Sequence, residues 1–422
     1  MRGNIKKAFR FLGPGFIAGA ADDDPSALGS YSQTGAQFGY RQLWTALFSL
    51  PFLISVQEMA GRIGMSTGKG LARIIKEHYP RELLYTAVFL LTAGNVIFIG
   101  ADLGAMASSA QLLIPIPFTA WLAIMAALIL ALEIFSTYIV YSRFLKYLAL
   151  SLSAYFFTAF VIAQDWGMIA RAALIPHFSA DREFLLNVAA IIGTRASPYM
   201  FFWQPSQEVE EEIAQHKLGS PAGNEPPAID RGDVKRMRVN TALGMFFSGF
   251  LMFFIIITTA ATLGVSGLSR VETADQAAAA LKPLAGNFAF LLFAAGVIGT
   301  GLLAIPVLAG SAAYAVSDAL GWEWGLHKTL PQARGFYGVI IAAVLAGLLI
   351  NLSPVRPFRL LYYAGIVNGG ISPVLMLLLM LIANNRKIVG ECANSPLSNI
   401  TGWIMIAASA AVPVVLIVTL LS

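Results

Sequence analysis

Apolar stretches recur along the whole chain and alternate with short polar segments. A helix needs about 20 apolar residues to cross the roughly 30 Å hydrocarbon core of a bilayer. The pattern therefore predicts an all-α polytopic membrane protein with eleven transmembrane helices. The predicted spans lie at about 11–38, 43–66, 83–114, 118–140, 145–169, 185–209, 239–266, 284–320, 335–353, 359–384 and 400–421.

Basic residues are distributed unevenly between the two sides that these spans define. With a cytoplasmic N-terminus, 20 of the 28 Lys and Arg residues fall in cytoplasmic segments, seven fall outside, and Arg195 lies inside span six. Cytoplasmic loops of membrane proteins carry an excess of Lys and Arg. The sequence therefore predicts a multi-pass protein of the cytoplasmic membrane, with its N-terminus in the cytoplasm and its C-terminus outside.

Composition narrows the class of function. The mean hydropathy is +0.70 and 12% of residues are charged, whereas soluble domains carry about 25%. The single cysteine, Cys392, excludes an intrachain disulfide and a multi-cysteine metal cluster. The net charge of +5 follows from the cytoplasmic bias, so it predicts contact with the lipid bilayer and no nucleic-acid partner. The sequence contains no Walker, zinc-hydrolase or nucleophile motif, so we predict no enzyme activity and no cofactor.

Two of the predicted spans are interrupted near their middle. Span one reads "GPGFIAGAADDDPSALGSYSQTGAQFGY" and span six reads "VAAIIGTRASPYMFFWQPSQE". Pro25 and Pro198 each remove a backbone donor, and irregular backbone at membrane depth occurs only where it is buried in protein or lines a cavity. A matched pair of interrupted helices is the best sequence indication of a transporter's midplane site. We therefore predict that the carboxylates of Asp22, Asp23 and Asp24 help to hold a cation there.

The matched interruptions also predict the domain organisation. Spans one and six correspond if residues 1–422 form a single transmembrane domain of two inverted five-helix repeats. The first repeat covers 11–169, the second covers 185–384, and 400–421 is an extra helix. Residues 208–238 are predicted to form a flexible cytoplasmic loop. The acidic residues at its start are predicted to be a solvated helix face, with attraction of cations at the exit as the alternative: Glu208, Glu210, Glu211 and Glu212.

Three segments of this chain resemble one known family. "LGPGFIAGAADDDPSALGSYSQTGAQFGYRQLW" resembles the first span of the Nramp divalent-metal transporters, whose signature there is Asp-Pro-Gly-Asn. "VQEMAGRIGMSTGKGLARIIKEHYP" is similar to the family's second span and following loop, and "IGTRASPYMFFWQ" stands where the family has Met-Pro-His. The resemblance implies a LeuT-type fold with helices 1 and 6 broken, and secondary transport of a divalent metal ion by alternating access.

The resemblance also implies particular site residues. The family's metal-binding Asp corresponds to Asp24, and its two backbone carbonyl ligands fall on Ala21 and Thr194. Asp102 matches an Asp of span three, whereas the Glu of the family's proton route is Ala105 here. The family's Gly, Asn, Met and His are replaced by Ser26, Ala27, Ser197 and Tyr199. The predicted metal-site residues are Asp24, Ala21, Thr194, Ser197, Asp23 and Ser26.

These replacements change the ion that the site would favour. A thioether is a soft ligand, and Ser197 removes it. Asp22 and Asp23 add hard oxygen donors, although at most two of three consecutive helical side chains can face one cavity. Because Mg²⁺ is usually held by one or two carboxylates with retained waters, the sequence favours Mg²⁺ or Mn²⁺ over Fe²⁺, Zn²⁺ or Cd²⁺.

Arg195 leaves two interpretations open. Its side chain could neutralise an acid, with Asp22, Asp23, Asp102 or Glu58 as the partner, or it could bind an anionic substrate. Two rival functions therefore stand beside metal transport: a carrier of the same fold for an organic or anionic solute, and a non-transporting sensor.

A further expectation concerns protons. The residues predicted to line an ion or proton route are Asp22, Asp102, Arg195, Tyr199, Glu58 and Asn368. Ala105 and Tyr199 replace two proton-carrying residues of the family, and a tyrosine, whose ordinary pKa is about 10, carries protons poorly near neutral pH. We therefore predict that metal movement is not tightly coupled to protons.

Overall fold

The computed structural model describes residues 13–135, 150–218 and 227–421. All regular elements in this part of the chain are helices, as the sequence predicts. In chain order the first ten are α1 (Pro14–Ala21), α2 (Pro25–Phe38), α3 (Trp44–Thr67), α4 (Leu71–His78), α5 (Arg81–Gln111), α6 (Phe118–Phe135), α7 (Ala154–Val161), α8 (Trp166–Leu174), α9 (Arg182–Arg195) and α10 (Pro198–Ala214).

The second half of the chain contains four long and several short helices. They are α11 (Arg231–Thr259), α12 (Ala274–Ala279), α13 (Lys282–Ala285), α14 (Ala289–Leu320), α15 (Arg334–Ile350), α16 (Pro357–Asn384), α17 (Arg386–Val389) and α18 (Pro396–Leu421). A π-helical turn at Ala260–Gly264 extends α11.

Six helical segments of the described residues are long and apolar enough to cross a membrane. They are Arg81–Gln111, Phe118–Phe135, Arg231–Gly264, Lys282–Leu320, Pro357–Asn384 and Pro396–Leu416. Arg334–Ile350 is apolar but shorter. This measure leaves out the interrupted spans, the helix Trp44–Thr67 and the shorter Arg334–Ile350, so the eleven-span count and the inverted repeats remain predictions.

Three predicted boundaries differ from the structure. Span five is predicted to extend to residue 169, but its helix ends at Val161. Gln164 and Asp165 follow, and Trp166–Leu174 then forms a separate helix. The predicted loop 208–238 is shorter than expected, because α10 continues to Ala214 and α11 already begins at Arg231. The end of predicted span four and the start of span five fall in 136–149, outside the described residues.

The interrupted helices are packed against long continuous ones. Helix α1 lies against α11, and α9 lies against α16. Both contacts need glycine: a Cβ on Gly19 would overlap the backbone of Gly244, and a Cβ on Gly193 would overlap the carbonyl oxygen of Gly365. Close backbone approach of this kind is the usual means of packing membrane helices. It fixes both interruptions inside the bundle.

Candidate functional site

Both interrupted spans have the predicted form of two helices joined by a short non-helical segment. Span one is α1 and α2 with the break at 22–24, and span six is α9 and α10 with the break at 196–197. The breaks meet, because the Tyr199 hydroxyl donates to the carbonyl oxygen of Ala21 over 3.1 Å. Across the same junction the hydroxyls of Ser30 and Thr194 lie 3.3 Å apart.

The first break is built by the sequence Asp-Pro. Asp24 has an extended backbone, and its Oδ1 accepts from the backbone N–H of Ala27 at 2.8 Å. Pro25 occupies the first helical position of α2, where a missing N–H costs nothing. Asp24 is therefore the N-cap of α2. The carboxylate predicted to bind metal is held in place by its own helix and is 1% exposed.

The second break leaves backbone carbonyls without helical partners, and side chains supply donors for them. Ser197 Oγ donates to the Thr194 carbonyl at 2.6 Å. From α16, Asn368 Nδ2 donates to the Gly193 carbonyl at 2.9 Å, and Ser372 Oγ donates to the Ala196 carbonyl at 2.6 Å. Orphan carbonyls at helix ends need such partners when no water is present. Asn368, predicted as a route residue, is therefore a donor that stabilises this break.

The two carbonyls predicted as metal ligands already accept hydrogen bonds from hydroxyl groups. The Ala21 carbonyl accepts from Tyr199, and the Thr194 carbonyl accepts from Ser197. A carbonyl oxygen has two lone pairs, so each retains one for an ion or a water. No group of three or more His, Cys, Asp or Glu side chains arranged to hold a metal occurs in the described ranges. An ion here would need carbonyl, hydroxyl or water oxygens beside a carboxylate.

Arg195 forms a buried ion pair with the first acid of the triplet. Its Nη1 lies 2.9 Å from Asp22 Oδ2, and both side chains have no solvent exposure. Ser248 of α11 donates to Asp22 Oδ2 at 2.8 Å and to Asp23 Oδ1 at 3.1 Å. Asp102 and Glu58, the other acids expected as partners of Arg195, are wrong, because Arg195 pairs with Asp22. Nothing in the sequence indicated Ser248, which is one serine among many in apolar spans.

Comparison with known proteins shows the family. The family model described as Nramp, natural resistance-associated macrophage protein-like, matches residues 15–419. The chain belongs to the Nramp family. Members of this family are transporters of divalent metal ions, so membership supports divalent metal transport by a multi-pass membrane protein, and a transporter rather than an enzyme.

Solved structures show the same fold. The Eremococcus coleocola manganese transporter, in complex with an aromatic bis-isothiourea substituted compound, aligns with a TM-score of 0.72 at 16% identity, covering 98% of this chain and 87% of that one. The inward-facing conformation of Mhp1 aligns with a TM-score of 0.52 at 13% identity, covering 96% and 89%. The predicted fold, an all-helical transporter of the Nramp and LeuT type, is confirmed.

Within this Nramp fold the route residues do not form one cluster. Asp102 of α5 joins the first break, because Ser26 Oγ donates to its Oδ1 at 2.9 Å. Glu58 of α3 lies apart and pairs with Arg62 at 3.0 Å and with Arg238 at 2.8 Å. The structure thus gathers eleven of the twelve predicted residues at or beside the two breaks and leaves Glu58 out.

The acidic run at the start of the predicted loop is not a uniformly solvated face. Glu208 and Glu212 are buried, with 5% and 4% exposure, whereas Glu210 and Glu211 are partly exposed. The prediction is therefore wrong for the first pair. Spacing of four residues places both members of that pair on the side of α10 that faces the protein.

The ion pair of this Nramp protein predicts a specific pattern of stability. Arg195→Gln leaves Asp22 buried without its cation, and losing one partner of a buried pair costs about 3–5 kcal/mol. We expect a clear loss of thermal stability in detergent for Arg195→Gln. The double variant Asp22→Asn with Arg195→Gln should recover part of that loss, because no charge then remains. Equal melting temperatures for Arg195→Gln and the wild type would contradict this account.

Proposed function

We propose that this protein carries a hard divalent cation, Mg²⁺ or Mn²⁺, across the cytoplasmic membrane by alternating access. The observation that carries the proposal is the meeting of the two breaks beside the Asp24 carboxylate. The candidate donors are Asp24, Asp23, Ser26, Ser197 and the carbonyls of Ala21 and Thr194. Carboxylate, carbonyl, hydroxyl and water oxygens suit hard cations.

The absence of a soft ligand from this set supports the choice of ion. Ser197 stands where the resembled motif has a thioether, and Ala27 stands where it has an amide. Both replacements are small, which leaves space for waters that Mg²⁺ gives up reluctantly. The Eremococcus coleocola protein is named a manganese transporter, which agrees with Mn²⁺ as the second candidate.

One route to the site is indicated at the end of the bundle that holds Phe38. A cavity of about 210 Å³ opens there, beside the C-terminal half of α2. Its lining includes Gln33, Gln37, Glu183, Glu272 and Arg359. With the N-terminus in the cytoplasm, this end faces outward and the opposite end, at Pro14, faces the cytoplasm. The breaks themselves are shielded, since Asp22, Asp23 and Asp24 are at most 2% exposed.

An anionic substrate is less well supported than a cation. The guanidinium of Arg195, the group that would bind it, has no solvent exposure and is paired with Asp22. An anion entering there would also meet Asp23 and Asp24, and like charges brought close in a medium of low dielectric repel strongly. Solute uptake in place of metal uptake would favour that rival, and no uptake would favour a sensor.

The first test removes the central carboxylate. We expect Asp24→Ala to abolish Mn²⁺ and Mg²⁺ uptake into proteoliposomes, because the ion loses its charged ligand. The backbone N–H of Ala27 also loses its hydrogen-bond acceptor. This loss costs only about 1 kcal/mol, so the variant should remain folded. Asp165→Ala serves as the control, since it removes an N-cap of the same kind at the exposed start of α8. Normal uptake by a correctly inserted Asp24→Ala protein would refute a role for Asp24.

The second test concerns selectivity. Ala27→Asn with Ser197→Met restores an amide and a thioether, and a soft ligand favours softer metals. We expect the preference to shift from Mg²⁺ towards Cd²⁺, measured by competition against Mn²⁺ uptake. In the wild type, excess Mg²⁺ should compete with Mn²⁺. Strong Cd²⁺ preference in the wild type, with no effect of Mg²⁺, would be incompatible with the proposal.

The third test concerns coupling. Asp102 accepts from Ser26, Tyr199 donates to a carbonyl, and position 105 is a buried alanine, so the family's relay is incomplete. We expect metal entry driven by its gradient and the membrane potential, worth about 2.3 kcal/mol per charge per 100 mV. Liposomes that contain a pH dye should show no acidification in fixed ratio to metal entry. Such acidification would instead implicate Asp22, Asp23 or Asp102 as a proton carrier.

A further inference from the structure

A second group of acidic side chains lies between the breaks and the Pro14 end of the bundle. Gln204, Glu208 and Glu212 follow each other at intervals of four residues on α10 and are 0%, 5% and 4% exposed. With a rise of about 1.5 Å per residue, they extend from about 9 Å to about 21 Å beyond Pro198. We call these three residues the α10 stripe. It begins close to the second break and reaches the last turn of the helix.

Helices α3 and α11 contact the α10 stripe at Gln204. Gln204 Nε2 donates to Thr241 Oγ1 of α11 at 3.0 Å, and its Oε1 accepts from Gln57 Nε2 of α3. Glu208 Oε1 has only a long contact, 3.4 Å, to Gln204 Nε2. The stripe is therefore polar along its whole length, although all three of its residues are buried.

Several oxygen acceptors around the stripe have no donor. Both carboxylate oxygens of Glu212 lack a hydrogen-bond partner among the described residues. So does Gln57 Oε1, which belongs to α3 beside Gln204, and Gln57 is 1% exposed. Lys217 offsets the charge of Glu212 only in part, because its Nζ forms an ion pair with Asp233 at 2.5 Å. Buried ionised carboxylates without partners are costly, so ionised Glu208 and Glu212 would need a positive charge or water donors.

We propose that Glu208 and Glu212 bind a hydrated divalent cation, as a relay between the two breaks and the Pro14 end. The unpaired amide oxygen of Gln57 accepts a hydrogen bond from one of its waters. Two carboxylates with retained waters are the usual environment of a bound Mg²⁺. This inference rests on the proposed transport of a divalent cation, and it adds a second site on the same route.

The binding test uses the purified full-length protein and Mn²⁺ alone as the probe. Asp24→Ala serves as the background, because it removes the central carboxylate. We expect the resonance signal of free Mn²⁺ to reveal a remaining site in this variant. Adding Glu208→Gln and Glu212→Gln should weaken that site at least about tenfold. Adding Glu211→Gln instead should leave it unchanged, since Glu211 is partly exposed and bonded to Gln215. Equal Mn²⁺ binding in both derivatives would overturn the proposal.

The transport test leaves Asp24 intact. We expect Glu208→Gln with Glu212→Gln to reduce the initial rate of Mn²⁺ uptake about three- to tenfold, and Glu211→Gln to stay within about twofold of the wild type. Loss of the second binding site with unchanged uptake would overturn its position on the route. If the glutamates are merely protonated structural residues, glutamine replaces them without effect on binding or uptake, which also overturns the proposal.

Two controls keep the outcomes distinct. Monodisperse elution shows that each variant is folded, and Glu212→Gln alone is used if the double variant does not purify. A wild-type protein that takes up neither Mn²⁺ nor Mg²⁺ would refute the proposed function itself. Normal wild-type uptake, together with equal behaviour of the Glu208→Gln/Glu212→Gln and Glu211→Gln proteins, would refute only the second site.

Discussion

The constraint on which the site depends is the need to satisfy backbone carbonyls freed where two helices stop inside a water-poor bundle. Each buried acceptor left without a donor costs about 1–3 kcal/mol. Tyr199 from one broken span supplies the donor for Ala21 of the other, and Asn368 and Ser372 of α16 supply donors for the second break. The same bonds that satisfy the backbone therefore fix the two breaks relative to each other and to α16.

Charge compensation is the second requirement of this interior. An isolated buried carboxylate is too costly to keep, and Arg195 offsets that cost for Asp22. Its guanidinium is always protonated, so it acts as a fixed cation beside the breaks. Asp23, Asp24 and Asp102 have no such basic partner within ion-pair distance in the described part of the chain. A divalent cargo ion would supply the positive charge that the protein itself does not.

Local signals made the breaks predictable, whereas partners distant in sequence were not. In each broken span, a proline directly follows a residue that caps the next helix. The sequence therefore locates the interruptions at Asp24-Pro25 and Ser197-Pro198, where α2 and α10 begin. The partner of Arg195 was one of several acids, and Asp22 is 173 positions away. A stripe at intervals of four, as at Glu208 and Glu212, fits a solvated face and a buried one equally well. Only the packing of α10 against other helices, chiefly α3 and α14, distinguishes the two cases.

The exchange of a thioether for a hydroxyl links ion choice to backbone chemistry. A methionine sulfur can bind a soft metal but cannot donate a hydrogen bond. Ser197 does donate, and it uses the carbonyl of Thr194, a group that the resemblance identifies as a ligand. Serine in place of methionine thus removes the soft ligand and uses one lone pair of the Thr194 carbonyl oxygen. Tyr199 acts on Ala21 in the same way. Under the proposed function, the carbonyl oxygens that face the ion already accept one hydrogen bond each. Such a site favours an ion that keeps some of its own water, because that ion needs the fewest direct ligands from the protein.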